Sequence, residues 1–485
     1  MKLGGLDIGT TGCKVSIYDE TGEFLAQSYC EYESTRNTET QEIDGAAVWN
    51  GVKKVLLEAK AEVGQIDAIG VSSFGESFVM LDEDDNILLP SFLYTDKRGN
   101  EECTLFDAEE TIRIAGVKPH GMYSLPKLMW IKKNLPEIYK KTKRILLFED
   151  FIVYKLTKKA QIDYSLACRT MGFDIRTKTW SKALFDVAGI DIEKMSEPVV
   201  GGTIAGKIVD AELDMTDTLV VSGCHDQLAS LIGAGVLDTG SAVDGTGTVE
   251  CITPVFDDIP NQKEFYEQGY CTVPHILDGK YICYVLSFTG GAALKWYKDT
   301  FIEDKGYREM DETIPAEPTG ILVVPYFAGA ATPFMDENAK AIFTGVTLGT
   351  TKEDMYRAIM EGVTYEILFN LEHLEASGVS RTEKLYTTGG GAKSEVWLQI
   401  KADILNRELT AINAPEVGAM GTVMLATVAL GVYKDLYAAK EQFVKYGKTF
   451  TPNPKRAKEY EKLMKTYRGI YRAMRPLEIT EEERC

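Results

Sequence analysis

The sequence predicts an α/β protein of two domains, on three observations. Short apolar, β-branched runs alternate with helix-spaced segments along nearly the whole chain. A strand, a Gly/Thr turn and a second strand occur near the N-terminus (3–19) and recur near the middle (239–249), which reads as an internal repeat. The 485 residues are enough for two or three domains with large cores. The expected division is 1–237 and 238–485.

In chain order, 3–19 is a hairpin around Asp7–Ile8–Gly9–Thr10–Thr11–Gly12, followed by a third strand over 23–27. Lys14, Ser16 and Tyr18 alternate with Val15 and Ile17, which predicts one buried face. Backbone N–H groups of such a turn can converge on an anion, and glycine lets a phosphate come close. It is not a Walker loop, since no Gly-Lys-Ser/Thr follows. Asp7 is a candidate Mg²⁺ carboxylate, acting through water; the bland alternative is a turn aspartate. Asp44 starts a helix that ends before Gly64. The strand 66–72 breaks at Ser73–Phe74–Gly75–Glu76–Ser77, where Glu76 either accepts hydrogen bonds from a polyol or is simply solvated. A short strand at 92–94 leads to Asp96, either a polyol contact or a surface ion pair worth little. Residues 122–134 start a helix, with Pro126 tolerated in its first turn. Residues 144–156 are apolar around Asp150, and 163–174 with 180–190 read as a lid or cap.

The stretch 219–249 carries two kinds of chemistry. Leu219–Val220–Val221 ends a buried strand, and helical spacing begins at Gln227. Asp226 therefore sits where a strand gives way to a helix, a place where α/β sheets commonly bind ligands; the bland alternative is a helix N-cap. Asp244–Gly245–Thr246–Gly247–Thr248 repeats the Gly/Thr turn, or is an ordinary hairpin. Downstream, 281–288 is a strand, and Gly290–Gly291 opens a helix whose start suits a phosphate or nucleotide. A strand at 321–326, a long helix at 352–374 and a strand at 386–388 follow. Gly389–Gly390–Gly391–Ala392 then let a flat base or a phosphate lie against backbone. Helices are expected at 394–405, 422–432 and 460–471.

Composition narrows the function classes. Hydrophobic residues make up 45% and charged residues 26%, ordinary for a soluble globular protein. The net charge of −20 argues against nucleic acid or an anionic membrane as partner. It does not exclude ATP, because local N–H groups and Mg²⁺ set the sign inside a site. Nine scattered cysteines without metal spacing suggest reduced thiols in a cytosol. Asp7 falls where a signal peptide needs an apolar run, and 417–433 is too short to span a bilayer. The expected setting is cytoplasmic.

Two segments fit a known class residue by residue. One is 122–134 with Ser124, Lys127 and Trp130. The other is Ala341, Phe343, Gly345 and Val346, then Asp354–Met355, then Ala358–Ile359–Met360–Glu361. On these the chain resembles the FGGY class of carbohydrate kinases, which includes xylulokinases and glycerol kinases, over roughly 3–433. The resemblance implies two ribonuclease-H-like domains of the actin/hexokinase/Hsp70 ATPase type, with an active-site cleft between them. The first would hold the sugar and the catalytic aspartate, and the second the nucleotide. It implies ATP and Mg²⁺ as cofactors and a small-molecule sugar or polyol substrate; a homodimer stays open. Asp226 would be the catalytic base and Asp7 the magnesium carboxylate. Thr10, Thr11 and Lys14 would form the first phosphate site, and Gly245, Thr246 and Gly247 the second. Gly291, Lys295, Gly390, Gly391, Ala392 and Glu395 map onto the nucleotide site. Glu76, Asp96, Met122, Asp226 and Gln227 map onto the sugar pocket.

The chain also departs from the pattern. Phe74–Gly75–Glu76–Ser77 replaces the Gln-Met-His-Gly of xylulokinases and shares only Glu76 with the Arg-Glu of glycerol kinases. Asp226–Gln227 is similar to glycerol kinases, whereas 95–98 and 389–397 are similar to xylulokinases. The histidine before the base is found in deoxysugar kinases of the class. The expected reaction is phosphorylation of a ketopentose of the xylulose type or a related sugar. A glycerol, polyol or deoxysugar kinase is the alternative, and an actin- or Hsp70-like ATPase without sugar is the rival from another class.

Overall fold

The computed structural model describes residues 1–37, 40–260, 263–302 and 305–477. The chain divides into two compact units. The first comprises Met1–Leu237, Cys271–Ile282 and Ala414–Lys445, and the second comprises Asp238–Tyr270, Cys283–Asn413 and the chain from Tyr446 onward. Two segments of the first unit thus come from the second half of the sequence.

Each unit is built on a sheet, and six strands of each sheet share one pairing pattern. In the first, Phe24–Glu31, Gly12–Asp19 and Lys2–Ile8 are successively antiparallel; Ala68–Ser73 and Leu219–His225 follow in parallel, and Ile204–Lys207 closes the edge antiparallel. In the second, Val285–Ser287, Glu250–Phe256 and Ser241–Thr246 are antiparallel, Lys384–Thr388 and Glu408–Ile412 parallel, and Tyr446–Phe450 antiparallel. The internal repeat therefore extends from the Gly/Thr hairpin to six strands of each sheet.

The first sheet is covered on both faces. Helix Gly45–Val63 packs on Gly12–Asp19 and Phe24–Glu31, and helix Val417–Ala429 packs on Lys2–Ile8, Ala68–Ser73 and Leu219–His225. This corrects the one-face reading of the second strand: Ser16 and Tyr18 are as buried as Val15 and Ile17. Glycines admit the second helix. A Cβ on Gly5 would lie 2.2 Å from the Ala419 carbonyl oxygen, and one on Gly70 2.5 Å from that of Thr422. Gly421 likewise meets the Ala229 carbonyl oxygen of helix Asp226–Gly233, where a Cβ would come to 2.0 Å.

Local signals set many boundaries. Asp44 caps its helix by accepting the Ala46 N–H at 2.9 Å, and Gly64 ends it at φ 80°. Thr351 and Asp354 form a capping box at the head of Lys352–Ala376. Other expected bounds shift. The helix placed at 422–432 is Val417–Ala429. The strand placed at 281–288 is two strands, Tyr281–Ile282 and Val285–Ser287. The apolar run 144–156 is the strand Arg144–Leu147 followed by the helix Phe148–Thr157. Among the described residues no helix is long and apolar enough to cross a membrane.

Candidate functional site

Three parallel strands of the first unit end level with one another: Ile8 lies opposite Ser73, and Ser73 opposite His225. That register brings Asp7, Glu76, His225 and Asp226 to one edge of the sheet although they are far apart in sequence. The last strand shifts register between Ser222 and Cys224. Gly223 makes the shift feasible, since a Cβ there would lie 2.1 Å from the Val71 carbonyl oxygen.

Asp226 is the first residue of the helix Asp226–Gly233, and the cap is His225, whose Nδ1 accepts the Gln227 N–H at 3.2 Å. The bland role expected for Asp226 therefore belongs to its neighbour. His225 Nδ1 also lies 3.0 Å from Asp226 Oδ1. The two contacts need different states of that nitrogen: a lone pair for Gln227, a proton for Asp226. The Asp226 side chain keeps 33% of its surface exposed, so it is not sealed. Burial works to raise its carboxyl, but the His225 ring and the Gln227 contacts outweigh it and hold the group below its ordinary value.

Asp7 accepts from Ser72 Oγ at 3.1 Å on one oxygen, and Lys14 Nζ lies 3.5 Å from the other. Lys14 is shared: it sits 2.7 Å from Glu416, a residue the sequence reading did not single out because it lies 402 positions away. Burial pushes the Asp7 carboxyl up, Lys14 opposes this, and the Asp226 charge adds to the rise. The turn is closed by Gly9 N–H on the Gly12 carbonyl at 2.9 Å. Thr10 Oγ1 accepts from Arg36 at 3.0 Å, while Thr11 is exposed.

Glu76 is not simply solvated. It is buried, adopts φ 64°, and accepts from Arg169 Nε at 2.6 Å. A second Arg169 nitrogen reaches the same oxygen, and the guanidinium lies 5.1 Å from the Tyr123 ring centroid. Asp96 also needs correction. Its carboxylate is fully enclosed, held by Arg98 at 2.8 and 2.7 Å and by the Gln41 N–H at 2.8 Å. It is an internal ion pair, neither a surface pair nor a carboxylate free for a polyol. The 122–134 segment has a physical role here. Ser124 Oγ donates to the Glu76 carbonyl at 2.6 Å, and buried Lys127 donates to the Asp96 carbonyl at 2.5 Å. The same helix thus clamps both loops, and burial lowers the Lys127 ammonium to about 8. Met122 is half-buried just ahead of this helix, and Gln227 is half-buried beside Asp226.

In the second unit the Gly/Thr turn is tight, with Gly247 N–H on the Val249 carbonyl at 2.9 Å. Thr246 does not present its hydroxyl to a ligand. It is fully buried and takes a hydrogen bond from Lys401, whose ammonium also binds Asp244 and Glu250, all three at 2.6 Å. Only the Thr246 backbone remains for a phosphate. The start of helix Gly291–Phe301 is likewise not a free anion site. Its Gly291 and Ala292 N–H groups bind the carbonyls of Gly247 and Thr248 at 2.8 and 3.1 Å. A cavity of about 910 Å³ adjoins the turn, lined by Gly247, Gly291, Gly390, Gly391 and Glu395 together with Tyr307, Arg308, Ser394 and Trp397. Gly391 fits against Thr246, where a Cβ would come to 2.5 Å, whereas Gly390 faces open space. Lys295 is exposed, pairs with Asp299, and lines a shallower neighbouring recess. Gly245 lies within the strand, and Ala392 is half-buried in the turn Gly391–Lys393. The sequence reading missed Arg169, Lys401 and Glu416. Only Lys401 carried a signal, as a charge inside an otherwise apolar helix run.

Comparison with known proteins agrees with this architecture. The profile "FGGY family of carbohydrate kinases, N-terminal domain" matches residues 2–233, and its C-terminal counterpart matches 276–430. A xylulose kinase of Lactococcus lactis subsp. lactis is 26% identical, covering 96% of each chain. A glycerol kinase of Thermococcus gammatolerans is 28% identical, covering 92% of each chain. The crystal structure of a gluconate kinase from Lactobacillus acidophilus superposes with a TM-score of 0.90 at 26% identity, covering 98% of each chain. With the profiles covering most of its length, the chain belongs to the FGGY family of carbohydrate kinases, phosphotransferases with an alcohol group as acceptor and ATP as the family's phosphate donor.

Proposed function

We propose that the protein transfers the γ-phosphoryl group of ATP to a hydroxyl of a ketopentose of the xylulose type. The observation that carries the chemistry is Asp226: a carboxylate kept ionised at the end of a central strand, with part of its side chain open. A sugar hydroxyl is too weak an acid to ionise at neutral pH, so its proton must leave as the new P–O bond forms. Asp226 accepts that proton, a contribution on the order of 10²–10⁴-fold in rate. Glu76 and Gln227 hold the acceptor; Glu76 is fixed for this by Arg169, and its positive φ is strain of the kind found at ligand sites. Asp96 supports the pocket from behind through Arg98 and Lys127. Thr10, Thr11 and Lys14 meet the phosphates at the first hairpin, and the backbone of 245–247 does so at the second. The base and ribose lie in the cavity beside Gly390, Gly391 and Trp397.

Magnesium fits Asp7. Magnesium keeps several waters and takes one or two carboxylates plus phosphate oxygens, which suits this half-open carboxylate, whose oxygens meet Ser72 and a shared lysine among the described residues. When bound there it would neutralise phosphate charge.

The relatives named above act on xylulose, glycerol and gluconate at nearly equal identity, so identity does not select the acceptor. Glu76 and the Asp226–Gln227 pair favour a second reading, a glycerol or polyol kinase. A screen of pentuloses, deoxysugars and polyols, read by ADP release and by ³¹P NMR of the product, tests both. The first reading expects the highest kcat/KM on a ketopentose; a clear preference for glycerol would replace it with the second.

A further inference from the structure

The edge of the first unit that carries Asp7 and Asp226 is rich in carboxylates, and its cations are mostly engaged. Lys14 is shared by Asp7 and Glu416. Arg169 is spent on Glu76, and Arg98 on Asp96 and Glu42. Arg36 differs. Among the described residues it has no carboxylate within ion-pair distance, and it is exposed. Its guanidinium is held by hydroxyls: NH2 donates to Thr10 Oγ1 at 3.0 Å and Nε to Ser34 Oγ at 3.0 Å. Hydroxyls orient a guanidinium without neutralising it. Arg36 ends the strand Ser34–Arg36, paired with Gln41 of the strand Gln41–Ile43. Gln41 is anchored in turn by its N–H on Asp96 and by Thr95 Oγ1 on its side chain at 2.5 Å. Arg36 is therefore mounted on a braced hairpin at the tip of the first Gly/Thr turn. The Tyr94 phenol, raised chiefly by burial, feels Glu76, Arg36 and Asp226 together.

We infer that Arg36 is a further catalytic residue, a guanidinium that contacts the oxygens of the phosphoryl group while it passes from ATP to the acceptor. This rests on the kinase reading above. In that step the acceptor oxygen bonds to the γ-phosphorus, the bond from phosphorus to the bridging oxygen breaks, ADP keeps that electron pair, and the acceptor proton goes to Asp226. The three non-bridging oxygens carry charge throughout, and they pass an edge lined by Asp7, Glu76 and Asp226. A planar guanidinium whose partners among the described residues are hydroxyls stabilises them where an ammonium already paired twice cannot. Removing one preorganised donor of this kind costs on the order of 10²–10³-fold in kcat.

The test compares the full-length protein with Arg36→Gln and Arg36→Lys, using ATP and the best acceptor from the screen. Arg36→Gln is expected to lose kcat by that 10²–10³-fold with the acceptor KM and Tm unchanged, and millimolar guanidinium is expected to restore part of the rate. Arg36→Lys is expected to fall between the two. A normal kcat in Arg36→Gln overturns the inference. So does a change confined to the acceptor KM, which would make Arg36 an acceptor contact. If Asp226→Asn is inactive while Arg36→Gln is normal, the Arg36 inference falls and the kinase reading stands. If the unaltered protein uses no ATP with any acceptor, the kinase reading itself falls.

Discussion

At the scale of single residues, Asp226 and Glu76 separate chemistry from support. His225 is the helix cap, so Asp226→Asn removes no cap and exchanges a proton acceptor for a near-isostere. The variant is expected to keep its Tm and its ATP affinity while kcat drops at least about a hundredfold. Measured together, an unchanged Tm and a near-normal kcat would remove Asp226 from the mechanism. Glu76 behaves differently, because its carboxylate is half of a buried pair. Glu76→Ala is expected to raise the acceptor KM and leave the ATP KM nearly unchanged. It also strands the Arg169 charge, which for a buried pair costs about 3–5 kcal/mol. A lowered Tm should accompany the kinetic change, and a shift in the ATP KM alone would place Glu76 in the wrong half of the reaction. The Glu76 position was legible in the sequence as the break after a strand. Its partner was not, because Arg169 lies 93 residues on and meets Glu76 only in the folded chain.

At the scale of elements, helix Val417–Ala429 shows what periodicity leaves out. Its apolar residues run all round rather than along a stripe, so its sequence marks burial without naming a partner. The partner is set by glycines: Gly5 and Gly70 on two strands and Gly421 on the helix let backbones approach. Gly421→Ala places a methyl group 2.0 Å from the Ala229 carbonyl oxygen, where only movement of backbone can relieve it. Overpacking of this kind typically costs about 1–3 kcal/mol. Gly390→Ala, with no atom near the added Cβ, serves as the control and is expected to leave Tm unchanged. Calorimetry of the two variants decides it: equal melting temperatures would show that the contact yields freely.

At the scale of the whole molecule, buried acids make stability depend on pH. Burial first, then the Asp244 charge, outweigh Lys401 and push the Glu250 carboxyl up to about 8. Glu149, fully buried, is also raised well above its ordinary value. For a carboxyl raised in the folded state, the folded protein binds more protons than the unfolded one. The stabilisation is then fully present below the ordinary value near 4.5 and is lost as pH climbs through the folded value. Tm is therefore expected to fall between pH 5 and pH 8.5 on account of these groups. In Glu250→Gln, where the neutral form is fixed, the fall should be shallower; an identical slope would remove Glu250 as a source. Connectivity gives a second expectation. A fragment of residues 1–237 lacks the helix that covers one face of its sheet, so it should bind hydrophobic dye and unfold without a cooperative transition.

What the sequence determined by itself was local or repeated: the α/β alternation, the two Gly/Thr hairpins, the helix start at Asp44, and the strand-to-helix junction at Asp226. These follow from residue type and spacing within a dozen positions, where period and turn chemistry act directly. The tertiary structure decided what each charge faces. It enclosed Asp96 with Arg98, turned the Thr246 hydroxyl inward onto Lys401, closed the start of helix Gly291–Phe301 with the neighbouring turn, and shared Lys14 between Asp7 and Glu416. A carboxylate or hydroxyl has the same appearance in a sequence whether it ends in a recess or in a core. Only the register of strands far apart in the chain fixes which neighbours desolvate it and which groups are left to meet a ligand.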